Sequence, residues 1–270
     1  MNATGTSEAK IDLLTVAAIA IVTYLLSAFI HEAIGHGLTA SLLGAKVLQI
    51  TNAYVETDHT ALSVWAVRAI SAGGCVANFI FGSIFLVWLR NMQGGSAHLR
   101  YFLWLLGIIN FLKGSGYMFA LSFASFGDWH NFLQGLEPKL PSQIGLTLVG
   151  VVIHIGTFFY AVRTIDEFLG QSFRRWSAFA LTLTPYLVGG AVNSLAAAVG
   201  PGGAEAILFS AALATFGGTW LLVWIPTAVG TPRPTTSANP LTIARNVGWI
   251  LLGLAGLGGY FFILGPGLIR

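Results

Sequence analysis

The feature that most constrains this chain is a series of long apolar runs with few or no charges. The first, Leu13–Ile30, carries no charged residue over 18 positions. A helix of that length crosses a bilayer core of about 30 Å. Because a segment in lipid must satisfy its own backbone hydrogen bonds, each run is predicted to be a helix. Six further runs follow, at Ala66–Leu89, Tyr101–Phe126, Ile144–Val162, Trp176–Val199, Ala204–Val229 and Val247–Leu264.

The composition agrees with a membrane protein. Only 9% of the residues are charged and the mean hydropathy is +0.77, whereas a soluble domain carries about 25% charged residues. We therefore expect an all-α integral membrane protein of about seven transmembrane helices, in a single membrane domain over residues 1–270. The expected location is multi-pass, in a prokaryotic plasma membrane. No basic stripe suggests nucleic acid, so the expected partners are the bilayer and a membrane-protein or peptide substrate.

The loop after the first run is predicted to contain a short β-hairpin. Val47–Thr51 and Tyr54–Thr57 have strand-forming composition, and they flank Asn52-Ala53. Two such runs around a short turn are typical of a hairpin.

The first run ends in the strongest chemical motif of the chain, His31-Glu32-Ala33-Ile34-Gly35-His36-Gly37. Ionisable side chains at membrane depth are costly, so each is a candidate functional residue. Two imidazoles beside a carboxylate are typical of a zinc site with its general base. We predict that His31 and His36 bind Zn²⁺ and that Glu32 is the base. The other interpretation is a buried polar cluster that hydrogen-bonds across helices without a metal.

The spacing of these histidines requires a distorted helix. In a His-Glu-x-x-His motif the histidines are four apart, about 40° around a regular helix. Here they are five apart, which separates them by about 140°. A single-turn π-bulge brings positions i and i+5 onto one face, and Gly35 makes such a distortion easier. The zinc prediction therefore depends on a π-bulge in this helix.

The third ligand is predicted to come from the third run. Asp128, in Phe126-Gly127-Asp128-Trp129, closes that run on the same membrane side as His36 if the spans alternate. An Asp, Glu or His commonly completes a zinc site. We choose Asp128, with His130 as the reserve, and the alternative for Asp128 is an ordinary turn residue.

At these positions the chain resembles the site-2 protease family of intramembrane zinc metalloproteases. The resemblance covers the first three runs, residues 13–129, and leaves residues 143–270 as additional transmembrane helices. It rests on order as well as on motif, since a β-rich loop follows the histidine helix. The matching segments are His31-Glu32 with Gly35-His36-Gly37, Gly74-Cys75-Val76-Ala77-Asn78 beside the family's Gly-Pro-x-x-Asn, Gly116-Tyr117, and Gly127-Asp128.

The family's chemistry implies a role for each matching residue. It implies that His31, His36 and Asp128 hold zinc and that Glu32 activates a water molecule. Asn78 would help to hold the substrate near the metal. The hairpin would pair with an unwound segment of a membrane-protein substrate by strand addition.

The orientation in the membrane stays open. If seven spans alternate, eight basic loop residues lie on the N-terminal side and four on the other, which favours a cytoplasmic N-terminus under the positive-inside rule. The resemblance implies the opposite, because the family's metal-bearing helix runs toward the cytoplasm. The eight are Lys10, Arg90, Arg100, Arg163, Arg174, Arg175, Arg233 and Arg245.

Other functions compete with the protease. A transport or binding protein could use His31, Glu32, Lys113 and Asp128 as an ion or proton relay, and Lys113 could instead neutralise one of the carboxylates. A di-iron desaturase or hydroxylase shares the His-x-x-x-x-His spacing, but such enzymes carry paired histidines and this chain has no His-His pair.

A serine protease is a further possibility. It would use Ser115, which stands between two glycines, with His154 as its base.

Overall fold

The computed structural model describes residues 11–169, 174–200, 215–230 and 240–269, and these residues are mostly helical. Within these described residues, six helical segments are long and apolar enough to cross a membrane. In chain order the α-helices are α1 (Leu13–Phe29), α2 (Thr39–Leu42), α3 (Val64–Asn91), α4 (Ala97–Leu121), α5 (Asp128–Leu133), α6 (Lys139–Thr164), α7 (Arg174–Ala198), α8 (Ile225–Ala228) and α9 (Val247–Gly259).

The first membrane-length segment is longer than its apolar run. A π-helix, Ile30–Leu38, joins α1 to α2, so the helical segment extends over 30 residues from Leu13 to Leu42. It begins at an N-cap, where the Asp12 carboxylate accepts a hydrogen bond from the backbone N–H of Thr15 at 2.9 Å. Such a cap satisfies one of the free N–H groups at a helix start.

The predicted sixth span falls partly outside the described residues. Of the run Ala204–Val229, the structure describes residues 215–229. A 3₁₀-helix, Trp220–Val223, and the short α8 occupy the second half of that part. The other six predicted spans each correspond to one of the six long helices.

The predicted end of the third span is wrong. The prediction carried the helix to Phe126, but α4 ends at Leu121 and the chain turns before α5 begins. The Ser122 carbonyl at the end of α4 accepts a hydrogen bond from the Gln143 side chain of α6 at 3.0 Å. Gly127 then adopts φ +86°, a left-handed conformation that few residues other than glycine take easily. Asp128 therefore opens a short helix after a turn and does not close α4.

The predicted hairpin is confirmed, and a third strand extends it. Strands β1 (Lys46–Ile50) and β2 (Val55–Asp58) are antiparallel, with Ile50 opposite Val55. The strand that the sequence did not predict is β3 (Leu268–Ile269), which pairs with the other edge of β1. The sheet order is β2-β1-β3, so among the described residues the outer edge of β2 carries no strand.

The C-terminal helices pack directly on α1. A Cβ on Gly253 of α9 would lie 2.9 Å from the Cβ of Ala18, and a Cβ on Gly189 of α7 would lie 2.2 Å from the ring of Tyr24. Small residues allow helices to approach this closely. The Tyr24 hydroxyl also contacts the Thr219 hydroxyl at 2.9 Å. The later helices therefore pack against α1, the helix that leads into the π-helix with the histidine motif.

Candidate metal centre

The histidine motif lies in the π-helix Ile30–Leu38. The distortion expected from the five-residue spacing is therefore present, and it extends over nine residues. In a π-helix the hydrogen bonds run from i to i+5, so side chains five apart share a face. His31 and His36 are both buried and point to the same side of this helix.

His31, His36 and Asp128 converge on a common point. The Nε2 atoms of the two histidines lie 3.3 Å apart. One carboxylate oxygen of Asp128, Oδ2, lies 3.2 Å from Nε2 of His31 and 3.4 Å from Nε2 of His36. Within the described part of the chain, these three residues form a group whose ligand atoms could hold a metal ion.

The surroundings of Asp128 favour a carboxylate in its charged form. Burial by itself raises the pKa of this carboxyl group, but the imidazoles of His36 and His31 lower it, and the pKa lies below its ordinary value. A negative oxygen directed at two imidazole nitrogens is a suitable ligand for a divalent cation.

A backbone hydrogen bond orients the imidazole of His36. Its Nδ1 donates to the carbonyl oxygen of Ile70 on α3, at 2.8 Å. The proton is therefore on Nδ1, which leaves the lone pair of Nε2 free in the neutral ring. A backbone carbonyl of this kind is a usual outer partner of metal-binding histidines.

Glycines let α3 approach the π-helix closely enough for this contact. A Cβ on Gly35 would lie 2.4 Å from the Cα of Gly74, and a Cβ on Gly73 would lie 2.4 Å from the Gly35 carbonyl oxygen. A Cβ on Gly74 would also meet both imidazoles, at 2.5 Å from His36 Nε2 and 2.6 Å from His31 Nε2. A larger residue at position 35 or 73 would push the two backbones apart, and one at position 74 would displace the two imidazoles.

The ring of Tyr117, on α4, forms another wall of the centre. It stacks on the imidazole of His31 with the ring centroids 4.9 Å apart and an interplanar angle of 23°. The imidazoles thus lie between α3, which contacts them through Ile70 and Gly74, and α4, which contacts His31 through Tyr117.

The chain matches no family model, no curated protein and no solved structure. The geometry of the centre is therefore the basis for assigning its chemistry.

A cavity of about 800 Å³ opens beside the three residues. The three ligand-type residues, Glu32 and Tyr117 lie in its wall, as do the first residues of β2 and the start of α3. Glu32 is buried and interacts electrostatically with His31, His36 and Asp128. The candidate base and the candidate metal ligands therefore share the wall of one open space that can hold a ligand.

The remaining candidate residues lie farther from this point. His130 is not part of the group of three, and its Nδ1 lies 3.2 Å from the carbonyl oxygen of Ala124. Lys113 is buried in α4, and its electrostatic partner is Glu32 rather than Asp128. Asn78 is fully buried on α3 and is not among the residues that line the cavity, and both polar atoms of its amide lack a hydrogen-bond partner.

Ser115 and His154 are neighbours, as the serine-protease alternative requires. The Ser115 hydroxyl lies 2.8 Å from Nδ1 of His154 and 2.6 Å from the carbonyl oxygen of Phe111. Nε2 of His154 has no hydrogen-bond partner, so no carboxylate orients the ring within the described residues. Neither side chain lines the large cavity.

Sequence reasoning identified the three ligand-type residues and missed the contacts that hold them. It cited Gly74 only as part of a motif, and it gave Gly73 and Ile70 no role. A signal was available in Gly73-Gly74, because two adjacent glycines in a helix predict a close approach of another backbone. The carbonyl of Ile70 has no sequence signature.

Proposed function

We propose that this chain is a membrane-embedded zinc metalloprotease that cleaves a peptide bond of another membrane protein. The observation that carries the proposal is the convergence of His31, His36 and Asp128 beside Glu32, in a cavity next to the edge of β2 that no described strand covers. The six long apolar helices support insertion in a bilayer. The resemblance of the first three spans to the site-2 protease family supports the reaction class.

The spacing of the three ligand atoms fits zinc. A tetrahedral zinc ion with bonds of about 2.0–2.1 Å holds its ligand atoms about 3.3–3.4 Å apart. The three observed distances are 3.2, 3.3 and 3.4 Å. Two ring nitrogens and one carboxylate oxygen leave a fourth position open, as in catalytic zinc sites.

A cation also resolves the electrostatics of the cluster. Nε2 of His36 and the Asp128 oxygen are both hydrogen-bond acceptors when Nδ1 carries the His36 proton. With both rings neutral, a proton on Nε2 of His31 leaves Nε2 of His36 facing the Asp128 oxygen as a second acceptor at 3.4 Å, whereas a metal ion at the centre attracts all three atoms.

Each residue of the candidate centre has its own proposed part in the cleavage reaction. A zinc ion held by His31, His36 and Asp128 would supply a Lewis acid that activates water and polarises the carbonyl group. Glu32 accepts a proton from the attacking water as the new C–O bond forms, and returns it to the amide nitrogen as the C–N bond breaks. The imidazoles keep their positions throughout, because Ile70, Gly74 and Tyr117 confine the rings.

The substrate is an extended segment that pairs with β2. The outer edge of β2 is free among the described residues, and Val55, Glu56 and Thr57 line the cavity. A peptide added as a fourth strand makes main-chain hydrogen bonds with this edge. It then passes the candidate metal ligands in the same cavity. A substrate contact of Asn78 rests on the family resemblance alone, since its buried amide does not line this cavity.

Metal analysis tests the proposal. Purified wild type is expected to hold about one zinc per chain, and His31→Ala, His36→Ala and Asp128→Ala are expected to lose it. Glu32→Gln is expected to keep zinc and to lose cleavage of unfolded membrane-protein substrates. Ser115→Ala is the matched control for the serine alternative and is expected to cleave as wild type does.

Three results would contradict the proposal. Zinc retained in all three ligand variants shows that these residues do not bind it. Cleavage that survives Glu32→Gln but not Ser115→Ala assigns the activity to Ser115 and His154. A wild-type protein without metal or cleavage activity, but with ion transport that depends on Glu32, supports the relay.

A further inference from the structure

A second cavity, of about 410 Å³, lies between α3 and α6, away from the candidate metal centre. Four of its lining residues belong to α3: Ser83, Leu86, Val87 and Arg90. Their spacing of i, i+3, i+4 and i+7 places them in one stripe along the helix. The ring of Phe111, on α4, also lines the cavity.

The opposite wall is a matching stripe on α6. It consists of Ile153, Gly156, Thr157 and Tyr160, again at i, i+3, i+4 and i+7. A Cβ on Gly156 would meet no atom within 4 Å, so the absence of a side chain leaves open space here. The two stripes and Phe111 together form what we call the α3–α6 groove.

The interior of the α3–α6 groove is apolar in effect. Ser83 donates to the Phe79 carbonyl at 2.8 Å and Thr157 donates to the Ile153 carbonyl at 2.8 Å, and the third hydroxyl of the lining, that of Tyr160, interacts with the charge of Arg90 at one end. The remaining inner surface is aliphatic or aromatic. A polar ligand would therefore lose hydrogen bonds to water on entering, whereas a hydrocarbon chain would not.

One end of the groove is cationic and amphipathic. Arg90 stands one residue before the end of α3, and Tyr160 lies in the last turns of α6, where its phenol interacts with the charge of Arg90. Arg90 is exposed, and no carboxylate forms an ion pair with it in the described parts of the chain. Helix ends with Tyr and Arg are typical of the membrane–water interface.

We propose that the α3–α6 groove binds an anionic phospholipid. One acyl chain lies between the two stripes, and the phosphate group meets the guanidinium of Arg90 at the interface. The groove matches the two parts of this ligand. Arg90 lies at the helix ends, where the phosphate group would be, and the apolar lining extends toward the helix centres, where the acyl chain would be. This inference does not depend on the protease proposal.

The test is lipid retention by the purified full-length protein. The protein is equilibrated in detergent with equal amounts of phosphatidylglycerol and phosphatidylcholine of the same acyl chains, and retained lipid is measured by native mass spectrometry. We expect wild type to retain phosphatidylglycerol about fivefold over phosphatidylcholine, the preference that one arginine near the surface provides.

Two variants and two controls separate the parts of the groove. Gly156→Phe fills the groove and is expected to lose the retained lipid. If this variant has a lowered melting temperature, Gly156→Leu, which adds a smaller side chain, replaces it with the same expected loss. Arg90→Gln is expected to retain lipid with a ratio near one. Gly145→Phe, at an equally open position of α6, and Arg175→Gln, at an exposed arginine of α7, are expected to behave as wild type.

Each outcome decides part of the proposal. Retention in Gly156→Phe equal to wild type shows that the lipid lies elsewhere and overturns the inference. A preference unchanged in Arg90→Gln shows that Arg90 does not read the phosphate. Equal retention of both lipids by wild type indicates that the groove takes any acyl chain, which contradicts the anionic assignment.

Discussion

The backbone of Gly74 lies against the imidazole of His36, so that a Cβ at position 74 would come within 2.5 Å of Nε2. The atom that it would strike is the candidate metal ligand itself. The same Cβ would lie 2.6 Å from Nε2 of His31. The hydrogen atom of Gly74 therefore leaves room for both imidazoles, whereas a methyl group at this position would displace the ligand atoms.

Gly74→Ala is expected to weaken zinc binding at least tenfold, because outer contacts of metal ligands typically contribute 10- to 100-fold. The methyl group displaces both imidazoles, while the rest of α3 keeps its packing. Zinc per chain, measured at graded free zinc concentrations, gives the affinity. The matched control is Gly145→Ala, where the added methyl group meets no atom within 4 Å. Wild-type affinity in Gly74→Ala would show that the metal lies elsewhere.

Tyr117→Ala is expected to lower zinc affinity by about tenfold, the lower end of the usual effect of an outer contact. The ring of Tyr117 stacks on His31, and its loss lets that imidazole rotate. Tyr117→Phe keeps the stacked ring and is expected to bind zinc as wild type does. If Phe fails as badly as Ala, the hydroxyl rather than the stacking is what matters.

Removal of residues 266–270 is expected to loosen the hairpin. The truncation deletes β3, which pairs with Gln49 and Ile50 of β1, and the Pro266 carbonyl that accepts from the Gln49 side chain at 3.3 Å. Hydrogen exchange of the β1 amides should become faster, while exchange in α4 should not change. Leu268→Thr, which alters a half-exposed side chain and keeps the strand backbone, is the control. Unchanged exchange in β1 would contradict a bracing role for β3.

The Asp12 cap predicts a pH dependence at the start of α1. The backbone N–H of Thr15 is the main cause that lowers the pKa of the Asp12 carboxyl, and Arg245 adds to it with a hydrogen bond of 3.0 Å. A lowered folded-state pKa stabilises the protein above the unfolded pKa of about 3.9, and the contribution is lost as the pH falls through the folded value. Asp12→Asn keeps the cap without the charge.

Thermal unfolding in detergent tests this dependence. Wild type should melt above Asp12→Asn at pH 7, and the difference should shrink below about pH 4. A difference that is constant across this range would show that the charge of Asp12 does not contribute.

The local parts of the site could be predicted from the sequence, because they depend on short spacings. The five-residue separation of His31 and His36 indicated a π-distortion, and the structure shows a π-helix. The hairpin followed from the strand-forming residues around Asn52-Ala53. Asp128 was chosen for its chemistry and its membrane side, and it does meet both imidazoles.

The parts that could not be predicted depend on partners distant in sequence. The end of α4 at Leu121 is fixed in part by Gln143, which lies on another helix. Strand β3 is only two residues long and gains its conformation from β1, so Leu268–Ile269 carries no periodic signal of its own. The orienting bond to His36 comes from a backbone carbonyl, which every residue possesses.

The position of β3 also has a consequence for biosynthesis. A ribosome completes Lys46 through Asp58 long before it reaches Leu268, so the nascent hairpin must wait for more than two hundred further residues before its second edge is covered. Pairings of such long separation form slowly. In the emerging chain, the hairpin beside the candidate ligand atoms would thus lack its third strand. The cavity would reach its final shape only after α9 and β3 had been translated.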